Sequence, residues 1–135
     1  MSIDRHRFRS EADGGLDAAD LPRLKLKWAF AFPGVNSVRA QPVVVGGRVF
    51  IGSEAGDVFA LDAQTGCTFW SYHAQAGIRA AVSVGPYPKA GGETGYAIYF
   101  ADQRAFAYAV DADTGREIWR THVDDHLYAT STGSL

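Results

Sequence analysis

Ala60-Leu61-Asp62-Ala63-Gln64-Thr65-Gly66-Cys67-Thr68-Phe69-Trp70 is written a second time as Ala109-Val110-Asp111-Ala112-Asp113-Thr114-Gly115-Arg116-Glu117-Ile118-Trp119. Ala, Asp, Thr, Gly and Trp recur at identical spacing, and the two copies lie 49 residues apart. A period of this size marks a propeller or solenoid, in which each unit buries its faces against neighbours and cannot stand alone. The chain therefore reads as a piece of a larger ring.

The repeat extends outward from these two copies. Trp28 precedes Trp70 by 42 residues, so a third tryptophan opens the array. Around it Leu24, Leu26 and Trp28 alternate with Lys25 and Lys27, which predicts a half-buried outer strand over 24–30. Upstream, Asp17 to Leu21 supplies at most a helical turn stopped by Pro22. Within the repeat, Val43-Val44-Val45 and Arg48-Val49-Phe50-Ile51 flank Gly46-Gly47, a two-residue hairpin signal. Asp57 to Leu61 and Thr68 to Trp70 complete four antiparallel strands, the anatomy of a propeller blade. Arg39-Ala40-Gln41-Pro42 and Arg79-Ala80-Ala81-Val82 correspond at only 40 residues. The difference is absorbed by Pro86 to Gly95, whose proline and glycine content predicts a long hairpin loop.

The fold class is thus all-β: a partial β-propeller of two complete four-stranded antiparallel blades with partial flanking strands. The expected layout is an N-terminal extension over 1–23, the outer strand at 24–30, blades over 40–72 and 79–121, and the start of a further blade at 127–135. In the motif, Asp62 and Asp111 are placed to bond turn N–H groups, and Gly66 and Gly115 accept a positive φ. Ala60 and Ala109 leave room on a crowded face, Thr65 and Thr114 belong to the turn, and Trp70 and Trp119 supply apolar area for docking on the next sheet. Unpartnered apolar positions such as Val43, Val45, Phe59 and Tyr108 would favour self-association of the isolated chain.

Composition sets limits on function. The 135 residues are 47% hydrophobic with 15 glycines, which suits a turn-rich β protein. A net charge of -2 gives neither a nucleic-acid footprint nor a polybasic membrane patch. No apolar run approaches the length of a membrane span. Cys67 is the single cysteine, which excludes an internal disulfide and a Cys-x-x-Cys-His haem attachment. It aligns with Arg116 in the second copy, the mark of an exposed position. His122 and His126 bracket Asp124-Asp125 at a spacing that binds metal on a helix. Here they fall between an outer and an inner strand, so the segment reads as a solvated interblade loop.

The repeated motif resembles the tryptophan-docking motif of quinoproteins, eight-bladed propellers that hold pyrroloquinoline quinone (PQQ) on the ring axis. Arg7-Phe8-Arg9, Gly15-Leu16, the stretch Leu21-Pro22-Arg23-Leu24-Lys25-Leu26-Lys27-Trp28-Ala29-Phe30, and Val123-Asp124-Asp125-His126 resemble the polyvinyl-alcohol-dehydrogenase-like branch. The resemblance implies the N-terminal part of a PQQ-dependent alcohol dehydrogenase, inactive as an isolated chain. Its partners would be the remainder of the propeller, a small-molecule or polymeric alcohol, and an electron acceptor. It implies a periplasmic location, whereas Met1 to His6 lacks an apolar signal region and the chain as written reads as cytoplasmic.

PQQ carries carboxylates, for which guanidinium groups are suited donors. Arg39 and Arg79 begin the first strands of the two blades, the strands that line a propeller axis, and Arg39 matches by position an arginine that quinoproteins place near the cofactor. Ser83 and Tyr128 are weaker candidates. Two departures stand out. Where many quinoprotein alcohol dehydrogenases carry adjacent cysteines, this chain has Asn36-Ser37-Val38-Arg39, and no residue here matches the family's calcium ligands. Calcium and the catalytic carboxylate would then come from other blades. PQQ-free scaffolds of outer-membrane assembly use similar repeats, so a cofactor-free binding propeller is the alternative. A small repeat protein that closes its ring by self-association is a third.

Overall fold

A computed structural model describes residues 14–135. Arg7-Phe8-Arg9 and most of the 1–23 extension lie outside the described residues. Two four-stranded antiparallel sheets follow one another along the chain, with strand orders β1-β2-β3-β4 and β5-β6-β7-β8. The first comprises β1 (Val43–Val45), β2 (Arg48–Gly52), β3 (Asp57–Asp62) and β4 (Thr68–His73). The second comprises β5 (Ser83–Pro88), β6 (Thr94–Ala101), β7 (Phe106–Asp111) and β8 (Glu117–His122). Each is a meander built from hairpins, and this is the partial propeller with two blades that the repeat demands.

The motif residues explain why the sheets match. Ala60 stands directly opposite Trp70 and Ala109 opposite Trp119, while the next pairs are Leu61 with Thr68 and Val110 with Glu117. Each outer strand therefore carries a bulge, at Phe69 and at Ile118, immediately before the tryptophan. The small Ala side chain leaves the facing space to the ring. Asp62 Oδ1 accepts from the N–H groups of Gln64 (2.8 Å) and Thr65 (2.7 Å) and from the Thr65 hydroxyl (3.1 Å). Asp111 Oδ1 does the same with Asp113, Thr114 and the Thr114 hydroxyl, at 3.1, 2.9 and 2.8 Å. The Thr65 and Gln64 amides hold the Asp62 carboxyl below its ordinary range.

These turns form sockets for the preceding blade. The Trp70 indole N–H donates to the Ala112 carbonyl at 3.1 Å, and a β-carbon built on Gly115 would lie 2.7 Å from Trp70 Cδ2. Gly115 has φ +71°, so the position needs glycine both for its backbone and for the indole. Trp28 repeats the contact on the first blade: its N–H donates to Ala63 O at 3.2 Å, and a β-carbon on Gly66 would lie 2.7 Å from its Cδ2. Between the blades, Phe50, Val58, Trp70, Ile78, Val82, Ile98, Phe100, Tyr108 and Val110 form one buried cluster. Arg48 staples the blades together, donating to the carbonyls of Ala112 (2.8 Å) and Asp113 (3.1 Å).

Several expectations are corrected. Residues 24–30 form no ladder strand, and Leu24 and Leu26 are exposed. No strand of the described chain lies alongside to pair with them, so only Trp28 and Phe30 are drawn in. Residues 127–135 form no strand either. Pro22 does not stop the helical turn but sits inside a 3-10 helix, Ala18–Arg23. Half of the Pro86–Gly95 insertion is strand, with Pro86, Tyr87 and Pro88 pairing with Tyr96, Gly95 and Thr94, and the loop shrinks to residues 89–93. Phe59 and Tyr108 are not left bare. Phe30 and Phe32 pack on Phe59 with ring centroids 5.1 and 5.8 Å away, and Tyr108 is wholly buried against Phe100 and Tyr72. Val45 is exposed as expected and Val43 packs partly on the core, while further apolar surface lies at Val44, Ile118 and Trp119, the last 41% exposed.

Candidate functional site

The two sheets place their turns at two opposite ends. The β2–β3 and β6–β7 turns share one end with the entries to the innermost strands β1 and β5, and the β5–β6 and β7–β8 turns share the other. Arg39 and Arg79 lie at the first end. Neither begins a strand, since β1 starts at Val43 and β5 at Ser83, and each sits in the segment leading in.

The structure brings the two arginines together on one carboxylate. Arg39 Nε lies 2.9 Å and Arg79 Nε 3.8 Å from Glu54 Oε1. Glu54 belongs to the β2–β3 turn and is held there from below. Ser53 is buried, takes the Asp57 N–H on its hydroxyl (3.2 Å), and receives the Ile78 N–H on its carbonyl (2.9 Å). A β-carbon on Gly77 would stand 2.6 Å from the Glu54 carbonyl, so the segment carrying Arg79 can press against this turn only with glycine there. The sequence offered no signal for Glu54, because Gln103 occupies the corresponding turn of the second blade. A periodicity argument discards positions that do not repeat.

Arg39, Gln41, Arg79, Ala80 and Ala81 line a cleft of about 250 Å³ closed on another side by Thr132, Gly133 and Ser134. Two guanidinium groups against one carboxylate leave an excess of positive charge at a wall rich in donors, an arrangement that takes a carboxylate or another oxyanion. Ser83 does not line this cleft. Its hydroxyl donates to the Leu135 carbonyl at 2.5 Å and so ties the end of the chain to β5. Tyr128 is 82% exposed and also stands outside it.

A larger cleft, about 460 Å³, opens at the opposite end between Tyr87, Lys89, Asp111, Thr114 and Arg116. Tyr87, Lys89 and Thr114 are all committed to Asp111. Asp111 Oδ2 accepts from the Tyr87 hydroxyl at 2.5 Å and pairs with Lys89 Nζ at 3.3 Å. Burial pulls the Asp111 carboxyl up, but bonds from Tyr87, Thr114 and Lys89 outweigh it and hold the group well below its usual range. The insertion hairpin is thus latched to the motif aspartate of its own blade. His122 Nδ1 is bound to Asp125 Oδ1 at 2.9 Å, and Cys67 is exposed. No helix among the described residues is long and apolar enough to cross a membrane.

Residues 11–133 match the PQQ_2 family, described as outer membrane protein assembly factor BamB. The chain is 47% identical over 126 residues to a polyvinylalcohol dehydrogenase of a Pseudomonas species, covering 93% of this chain and 19% of that protein. It is 40% identical over 134 residues to the polyvinylalcohol dehydrogenase of a Sphingopyxis strain, covering 99% and 20%. The crystal structure of quinohemoprotein alcohol dehydrogenase from Comamonas testosteroni superposes with a TM-score of 0.72 at 25% identity, over 88% of this chain and 18% of that one. The chain spans about a fifth of the length of these relatives. Two tryptophan-docked four-stranded blades, matched from residue 11 to 133, make this chain a member of the PQQ_2 repeat family, with its sequence likeness running to the polyvinylalcohol dehydrogenases among the quinoproteins.

Proposed function

We propose that this chain forms opening blades of a PQQ-dependent dehydrogenase that oxidises alcohols, small or polymeric, and contributes cofactor contacts rather than the catalytic base. The observation that carries this reading is the convergence of Arg39 and Arg79 on Glu54 at the entry to the innermost strands. A quinone bearing several carboxylates suits such a donor set, and bound there it would supply the two-electron redox chemistry. The chain's own residues bind and orient. The Arg79 and Arg39 guanidinium groups would grip carboxylate oxygens, and Glu54 would fix the rotation of both. Calcium, the proton acceptor and the contacts to an electron acceptor fall to blades outside this chain, and the reading implies a periplasmic setting.

The test is a PQQ titration with calcium present, made on the chain joined to the remaining blades of its ring, following quinone absorbance and dye-linked alcohol oxidation. Charge-assisted hydrogen bonds contribute about 1.5 to 3 kcal/mol, so Arg39→Lys should weaken PQQ binding roughly ten- to a hundred-fold while the β-sheet circular dichroism persists. Arg79→Lys should act in the same direction. The competing reading is a cofactor-free scaffold, favoured by the family description and by Glu54 already partnering both arginines. No quinone uptake by the wild type would decide for it.

A further inference from the structure

The two motif turns share one backbone and differ in what holds their aspartate. Gly66 N donates to Asp62 O and Gly115 N to Asp111 O, both at 2.8 Å, and Oδ1 of each aspartate takes the same three donors from its own turn. The second carboxylate oxygen sets the turns apart. Among the described residues nothing bonds Asp62 Oδ2, whereas Asp111 Oδ2 takes the Tyr87 hydroxyl at 2.5 Å and faces the Lys89 ammonium at 3.3 Å. Asp62 is accordingly half-buried and Asp111 buried.

Both added partners come from the β5–β6 insertion, where the first blade has only the Gly46-Gly47 turn. Gly95 makes their reach possible. Tyr87 stands opposite it in the β5–β6 pair, and a β-carbon on Gly95 would lie 2.8 Å from Tyr87 Cε1 and 2.9 Å from Lys89 Cδ. With no side chain at that position, the phenol and the lysine stem pass over β6 and end on Asp111 in β7.

Asp111 opens the turn that receives Trp70 of the first blade, through the Ala112 carbonyl and over Gly115. Lys89 also faces Asp113 Oδ2 at 3.8 Å, and Asp113 Oδ1 faces Arg48 Nη2 of the first blade at 3.5 Å. We propose that the insertion is a strap that holds the joint between the two blades shut, with Tyr87 and Lys89 acting on Trp70 and Arg48 through Asp111 and Asp113. Opening the first turn releases an aspartate already half in water. Opening the second must also break charge-assisted bonds to a buried one. The strap thereby fixes how β1 and β5 stand to one another, whether or not the ring takes a quinone.

Both turn glycines follow a threonine, so their intrinsic exchange rates match, and residue-resolved amide hydrogen exchange on the full chain compares the turns directly. In the wild type the Gly115 amide should exchange at least about tenfold more slowly than that of Gly66. Tyr87→Phe keeps the ring and drops the hydroxyl. It should speed exchange about tenfold at Gly115 and at the Trp70 indole N–H, and leave Gly66 and the Trp28 indole as they were. Lys89→Met should act in the same direction. Gly95→Ala, which alters no polar group, should reproduce the effect by pushing the phenol off its path. Equal protection of Gly66 and Gly115 in the wild type overturns the proposal without any variant. So does Tyr87→Phe with native circular dichroism and unchanged exchange at Gly115 and Trp70. A rise of the same size at Gly66 and Trp28 overturns it too, because that is a loss of stability by the whole chain.

Discussion

The Tyr108 hydroxyl donates to Asp102 Oδ2 at 2.7 Å with both side chains wholly removed from solvent. The same oxygen of Tyr108 accepts the N–H of Gln75 at 3.2 Å, in the segment that joins the two blades. Asp102 Oδ1 meanwhile takes the N–H groups of Arg104 and Phe106, at 2.9 and 3.1 Å, closing the β6–β7 turn. One phenol therefore ties the connector of the first blade to a turn of the second. Tyr108→Phe keeps the ring and removes the bond, leaving a buried carboxylate oxygen short of a donor. It should cost about 1 to 3 kcal/mol, read as a lowered urea midpoint at unchanged slope. An unchanged midpoint would mean that the network contributes nothing net.

Gly115→Ala meets two penalties at once. Its φ of +71° disfavours any β-carbon, and that carbon would sit 2.7 Å from the Trp70 ring. Gly34 has the same φ of +71° with open space around it. Gly34→Ala should therefore cost about 1 to 2 kcal/mol through the backbone alone, and Gly115→Ala at least about 1 kcal/mol more through the displaced indole. Paired denaturation curves check this. Equal losses at the two sites would show that the indole moves aside freely.

How far the sequence reached follows from the range of each interaction. The motif was legible because its bonds are local: Asp62 closes a turn over three residues, and the glycine and tryptophan are fixed by the same repeat. Strand 24–30 was misread because alternation reports which residues share a face, not whether a neighbour exists to hydrogen-bond. The 86–95 insertion was misread because β5 is an edge strand, and prolines there keep their missing N–H groups out of any ladder. Glu54 left no trace at all. Its role arises from residues 39, 54 and 79 meeting in space, and nothing in spacing or composition encodes that meeting.

Stability should fall at both ends of the pH scale, for different groups. Asp111 titrates below its ordinary 3.8 in the folded chain, so the unfolded state takes up its proton first as pH drops. Its contribution is fully present above about pH 4 and is lost as the pH falls further toward the folded value. Tyr108 is pushed up to about 12, first by burial and then by its bond to Asp102. The unfolded phenol ionises near 10, so stability is intact below that and declines as pH rises through 12. Tyr72, raised by burial and by its bond to Glu117, acts in the same sense. Melting temperature against pH should be flat from about 5 to 9. In Tyr108→Phe the alkaline limb should become shallower while the acid limb stays.

The Ala112 carbonyl receives two donors from the first blade, the Trp70 indole N–H at 3.1 Å and Arg48 Nη1 at 2.8 Å. A carbonyl has two lone pairs, so either donor alone keeps it satisfied. Arg48→Met preserves the stem over Phe69 and removes the guanidinium, which stacks 4.6 Å from that ring. Trp70→Phe preserves much of the apolar contact and removes the N–H. Apart from the volume lost at Trp70, each single change should cost about 1 kcal/mol in hydrogen bonding. Together they strand a carbonyl on buried Ala112, and the combined loss should exceed the sum of the singles by about 1 kcal/mol or more. Strict additivity in a double-mutant cycle would show that water replaces the lost donors, and that the blade contact rests on packing alone.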